Sequence, residues 1–196
     1  GIHKRDALTF IIGDLLRDGT VVPICLYQWV GKKHSKVRDM LPKIVKYWGA
    51  IGGVCDGTGI GEPLAYHLKE LFDRNNDGLV EAYKFKASGD ESKSKLGYLA
   101  YDFSHNDLIK IPKAPTDPDQ LELWKELRWQ VEHLTREAKR QQTINFYVPA
   151  NAEPRKPGHV PHDDLVMALF LLMRAARNID PNTGKAVAFD REKSGV

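Results

Sequence analysis

A mixed α/β sheet flanked by helices and opening with an antiparallel hairpin is the fold class this sequence predicts. Three observations carry it. Strand-like and helix-like patterns alternate along the chain. Two β-rich runs at the start are joined by Arg17-Asp18-Gly19-Thr20, in which Asp-Gly is a strong signal for a two-residue hairpin turn. Near the end, Leu165, Val166, Ala168, Leu169, Leu172 and Met173 keep a helical register that Phe170 and Leu171 make apolar nearly all round, which predicts a central, buried helix.

Residues 7–16 and 21–29 form the opening strand pair. Residues 35–48 carry Val37, Leu41, Ile44, Val45 and Trp48 at helical spacing, with Pro42 expected to kink the helix or restart it. Residues 50–55 are short, apolar and uncharged, as expected of a strand buried on both faces. A helix over 63–72 comes next, for which Pro63 suits the first turn. Residues 79–85 read as a strand, 92–104 as a helix and 108–111 as a short strand. Residues 112–115 form a loop, 117–129 a helix with Leu121, Trp124 and Leu127 on one side, and 143–148 the last strand. Residues 149–161 are Pro-rich and aperiodic, a surface loop leading into the apolar helix. One domain over 1–177 is expected, followed by a polar, loose tail over 178–196.

Two acidic stations stand out. Asp56 ends the strand over 50–55, where open α/β sheets bind ligands, and the glycines at 57, 59 and 61 permit a tight turn. The spacing is not that of a dinucleotide fingerprint. An isolated Asp-Gly would more simply cap a turn. Asp163 and Asp164, preceded by His162, open the buried helix. Acids favour helix N-termini for dipole and capping reasons, which explains one of the two more easily than both. Stations so far apart in sequence that both end or begin a backbone element point to one metal site. Hard cations such as Mg²⁺ or Mn²⁺ take oxygen ligands, and an ion pair bridged by carboxylates can serve phosphodiester hydrolysis. Asp56 is the candidate for the ligand shared between two ions. Asp164 and Asp163 complete the cage, and His162 is the nearest group by sequence to orient water.

Composition narrows the remaining classes. At 196 residues and 42% hydrophobic content the chain can bury a substantial core. A net charge of +3 and a pI of about 8.8 suit a polyanionic partner without requiring one. Cys25 and Cys55 fall in apolar segments and read as reduced core thiols in an intracellular setting. No leader or membrane-spanning run is visible. Asp73-Arg74-Asn75-Asn76-Asp77-Gly78 imitates a calcium loop, but Lys84 stands at its twelfth position, so it reads as a turn. His105, His133 and His159 are scattered and read as surface residues. Basic residues cluster at Lys32, Lys33, Lys36 and Arg38; at Lys84, Lys86, Lys93 and Lys95; and at Arg136, Lys139, Arg140, Arg155 and Lys156. The second cluster borders the proposed site and is the preferred DNA contact, with Arg155 and Lys156 as further candidates. Contacts of this kind go to phosphates and give little sequence preference.

Asp-Gly-Thr-Gly-Ile-Gly-Glu-Pro at 56–63, Lys93 before an amphipathic helix, and His-Asp-Asp-Leu-Val-x-Ala-Leu at 162–169 resemble the nuclease domain of tailed-phage large terminase subunits. The resemblance spans residues 5–177. It implies a ribonuclease H-like fold and a metal-dependent endonuclease that cuts double-stranded viral DNA concatemers during packaging in the cytoplasm of an infected bacterium. It also implies an ATPase motor domain of the same native polypeptide, a portal and a small terminase subunit as partners. No G-x-x-x-x-G-K-[ST] motif is present, so the motor lies outside this chain. A Holliday-junction-type resolvase on the same fold, or a nonenzymatic DNA-binding or assembly module, are the alternatives. In the family an Asp-bearing first strand precedes the segment that His3-Lys4-Arg5-Asp6-Ala7 resembles. Either that strand lies upstream of Gly1, leaving a vacancy between the hairpin and the Asp56 strand, or Asp6 takes the role. Asp14, inside an apolar run, is the weaker substitute.

Overall fold

The computed structural model describes residues 7–58, 61–72, 79–85, 92–113, 115, 117–138 and 143–185. Asp6, Lys86, Lys139, Arg140 and the 73–78 turn lie outside the described residues. Strands β1 (Ala7–Leu15) and β2 (Val21–Val30) pair antiparallel from Ala7↔Val30 to Leu15↔Val21. Their register shifts between Ile12 and Gly13, where Gly13 faces Pro23; proline has no N–H to give a ladder and is tolerated at such a bulge. The connection is longer than the two-residue turn that Asp-Gly suggested. Leu16 N–H donates to Thr20 O at 2.8 Å, and Asp18 Oδ1 accepts from Thr20 N–H at 2.9 Å. Gly19 supplies the left-handed residue at φ 85°.

Helix α1 (His34–Trp48) runs through Pro42 without a restart and ends at Gly49, a left-handed cap. Strand β3 (Gly53–Asp56), helix α2 (Glu62–Phe72) and strand β4 (Val80–Tyr83) form a parallel unit, with Gly53 opposite Val80 and Asp56 opposite Tyr83. Helix α3 (Lys93–His105) starts at Ser92, whose side chain accepts from Lys95 N–H at 3.1 Å. The strand expected over 108–111 reduces to one parallel bridge, Val21↔Ile109, cut short by Pro112. A 3₁₀ turn (Pro118–Gln120) leads into α4 (Leu121–Glu132), followed by the antiparallel pair β5 (Thr135–Ala138) and β6 (Ile144–Tyr147). Helix α5 (Asp164–Arg177) is the centre of the main core. Leu165, Val166, Leu169 and Phe170 are buried on it among Ile11, Leu96, Leu127 and Phe146 from four other elements. Each such side chain contributes ~1.5–3 kcal/mol on burial. Past α5 the chain stays attached, because Ile179 is buried and Asn178 Nδ2 donates to Glu81 Oε2 at 2.6 Å.

Among the described residues the strands form three two-stranded ladders, β1-β2, β3-β4 and β5-β6. Strand β3 is half-buried rather than buried on both faces, and the reason is local. A cavity of about 580 Å³ lies between β1 and β3, with α5 on one side and α1 and α2 on the other.

Candidate functional site

Asp56 stands at one end of this cavity, exposed, as the last residue of β3. Its Oδ1 accepts the Thr58 N–H at 2.8 Å, so the turn-capping role and the exposed position hold together. Gly57 N–H continues the ladder to Tyr83 O at 2.8 Å, and Thr58 Oγ1 accepts from Phe85 N–H at 2.9 Å. Gly61 is required by close approach: a β-carbon there would sit 2.5 Å from the Asp56 carbonyl oxygen.

The second station is positioned by a residue that sequence reasoning missed. Asp163 occupies the N-cap position of α5, yet its side chain caps nothing. Gln130, 1% exposed on α4, does so instead: its Oε1 accepts the N–H groups of Leu165 and Val166, both at 3.0 Å. Its Nε2 donates to Glu126 Oε1 at 3.1 Å, and Glu126 is gripped by Arg155 Nε at 3.2 Å and by His159 Nε2 at 2.9 Å. Thr9 Oγ1 on β1 donates to the Asp164 carbonyl at 3.1 Å. Nothing in the sequence links positions 130 and 165, because the cap is made between helices. With that duty met by Gln130, capping does not account for the paired acids.

Asp56, Asp164 and Lys93 line the same cavity, with Thr58 and Gly61. Lys93 Nζ meets Asp163 Oδ2 at 2.8 Å, with both side chains about a third exposed, so Lys93 is first an ion-pair partner of the site. His162 is half-buried beside Asp163 and does not line the cavity. Asp14 is exposed, opposite Val22.

The expected DNA contacts divide. Lys84 pairs with Glu62 at 2.5 Å and lies 5.5 Å from the Tyr66 ring centre, and the bond from Glu62 raises its pKa. Lys95 is exposed on α3. Arg155 departs from expectation, being drawn inward between Glu126 and Glu122, and Lys156 is exposed 3.5 Å from Glu122. His159 is likewise no surface residue but packs edge-on against Trp129. The Cys55 thiol is pushed up to about 12, first by burial and then by the Asp56 charge, so it stays protonated.

Two carboxylates suit one hydrated Mg²⁺ or Mn²⁺, which keeps several waters and takes one or two protein carboxylates. They do not suit a two-ion cage. Among the described residues no three His, Cys, Asp or Glu side chains gather closely enough to hold a metal, and no helix is long and apolar enough to cross a membrane.

No protein-family model matches the chain, and no curated protein matches it. Solved structures do. The large terminase nuclease from thermophilic phage G20c with bound magnesium superposes with a TM-score of 0.56 at 19% identity, covering 87% of this chain and 75% of that one. The cobalt-bound form of the same nuclease gives a TM-score of 0.52 at 18% identity, over 86% of this chain and 81% of that one. With the opening hairpin, the parallel β3-α2-β4 unit and the central α5, the chain therefore has the ribonuclease H-like fold of the large terminase nucleases.

Proposed function

We propose that this protein is a divalent-metal-dependent DNA endonuclease that cuts double-stranded viral DNA concatemers during genome packaging, with little sequence preference. One observation carries the reading. Asp56 and Asp164, about a hundred residues apart in sequence, line one cavity together with Lys93. The similarly folded G20c nuclease has been solved with magnesium and with cobalt, which supports a divalent ion here. A Mg²⁺ or Mn²⁺ ion held by Asp56 and Asp164 supplies charge neutralisation for the phosphate and a water of lowered pKa. The chain's own groups do the rest. Lys93 holds Asp163 beside Asp164, and the positive end of the α5 dipole faces the same corner, favouring an anionic phosphate. The setting proposed is the infected bacterial cytoplasm, with an ATPase motor, portal and small subunit as partners.

Plasmid nicking in Mn²⁺ or Mg²⁺ tests this. Asp56→Ala and Asp164→Ala should each abolish nicking while circular dichroism shows the fold intact. Because cooperating ligands act as a unit, the double variant should be little worse than either single. Full cleavage by either folded variant would overturn the assignment. A DNA-binding module without cleavage is the second reading, favoured by the lack of a third ligand among the described residues. Divalent-independent duplex binding without nicking would identify it.

A further inference from the structure

The cavity between β1 and β3 has the form of a strand's berth. Among the described residues β1 is hydrogen-bonded only to β2 and β3 only to β4, so two sheet edges face each other across the space. Their unmet N–H and C=O groups require backbone partners, which a small molecule does not offer in series. The walls are apolar: Met167 and Leu171 of α5 on one side, Leu41, Leu64 and Leu68 of α1 and α2 on the other.

The course of the chain selects the occupant. Helix α5 starts at Thr9, passes Gly13 at Leu172, and delivers Ile179 to Gly52 at the start of β3. Gly184 then lies against Ile51, whose Cδ1 is 3.5 Å from where a β-carbon on Gly184 would be. The chain has thus reached the end of the cavity opposite Asp56. Immediately after Lys185 comes Ala186-Val187-Ala188-Phe189-Asp190, an uncharged β-compatible run closed by an acid. From Lys185 to Asp190 an extended chain covers about 16–17 Å, the same span as from Ile51 to Asp56. Residues 1–6, Gly-Ile-His-Lys-Arg-Asp, are too polar to line such walls.

We propose that residues 186–190 enter this cavity as a strand, parallel to β3 and antiparallel to β1, and bring Asp190 to Asp56 and Asp164. Alternation places Val187 and Phe189 on the α1 and α2 side, and Ala186, Ala188 and Asp190 toward α5. Asp190 is then the third carboxylate that the described residues lack. That last step rests on the nuclease reading, whereas the docking of the strand does not.

Hydrogen–deuterium exchange on the full chain tests the docking. Residues 186–190, 8–12 and 53–56 should exchange about 100-fold slower than free peptides and open together. Phe189→Asp should release all three segments while α3 and α4 stay protected, and Phe189→Leu should leave them protected. Free-peptide exchange at 186–190 in the unsubstituted protein overturns the docking, whatever the metal affinity. Protection of β1 and β3 that fades on dilution assigns the cavity to a second copy and equally overturns it. So does protection that appears only when residues are added before Gly1. Calorimetric titration with Mn²⁺ tests the ligand. Asp190→Asn should weaken binding about tenfold or more with exchange unchanged, and unaltered affinity in a protected protein removes Asp190 from the site.

Discussion

Gln130→Met isolates the contribution of one cap to the site. Methionine matches the length and bulk of glutamine but removes the acceptor for Leu165 N–H and Val166 N–H and the donor to Glu126. Both backbone donors are on fully buried residues, so water cannot replace the lost oxygen without opening the α4–α5 contact. Leaving a buried donor unsatisfied costs about 1–3 kcal/mol, so two of them cost about 2–5 kcal/mol after partial relaxation. For a chain of this size that lowers the melting temperature by roughly 5–15 °C. Urea unfolding followed by far-UV circular dichroism is the assay, with the midpoint falling and the slope unchanged. Nicking should fall with it at temperatures where the variant is folded, because the first turn of α5 holds Asp164. A Gln130→Met protein within about 0.5 kcal/mol of wild type would show that the helix is capped by another group.

Charges around the site carry two further expectations. Replacing Lys93 and Lys95 together by alanine should weaken duplex binding by a similar factor for unrelated sequences and lower the slope of log affinity against log salt by about 1–2; an unchanged slope in a filter-binding titration moves the duplex to another face. Glu122 is held down to about 2, first by its bond from Arg155 and then by Lys125. A depressed carboxyl contributes stability that is present above its unfolded value of about 4.5 and lost as pH falls toward 2. The midpoint difference between wild type and Glu122→Gln should therefore shrink across that window, and a constant difference would count against the Arg155–Glu122 bond.

Local pattern was enough to find the hairpin, the five helices and the two acidic stations, because each rests on periodicity, on Gly or Pro, or on charge at an element's end. What it missed depends on partners far along the chain. Strand β5, Thr-Arg-Glu-Ala, is polar and largely exposed, so only its pairing with β6 defines it. Residues 108–111 have strand composition but keep a single bridge, since Val21 alone offers them backbone partners. Arg155 and His159 look like surface residues in a Pro-rich loop until Glu126 is brought beside them. Gln130 carries no mark at all among the alternating charges of α4.

The two acids stand on different supports, and this explains why the cavity matters to the chemistry. Asp56 is fixed by β3 and its own turn, whereas Asp164 is fixed by α5, which Gln130 and Thr9 hold to α4 and β1. Their separation is therefore the separation of β3 from the β1–α5 layer, set by whatever fills the space between them. A strand hydrogen-bonded to both β1 and β3 would fix that distance through backbone geometry, since neighbouring strands lie about 4.7–4.9 Å apart. Metal affinity should then respond to substitutions at the apolar positions of the filling strand that touch no ligand. Phe189→Asp is expected to weaken Mn²⁺ binding as well as release β1 and β3, and a variant that opens both edges yet binds Mn²⁺ as tightly as wild type would separate the berth from the site.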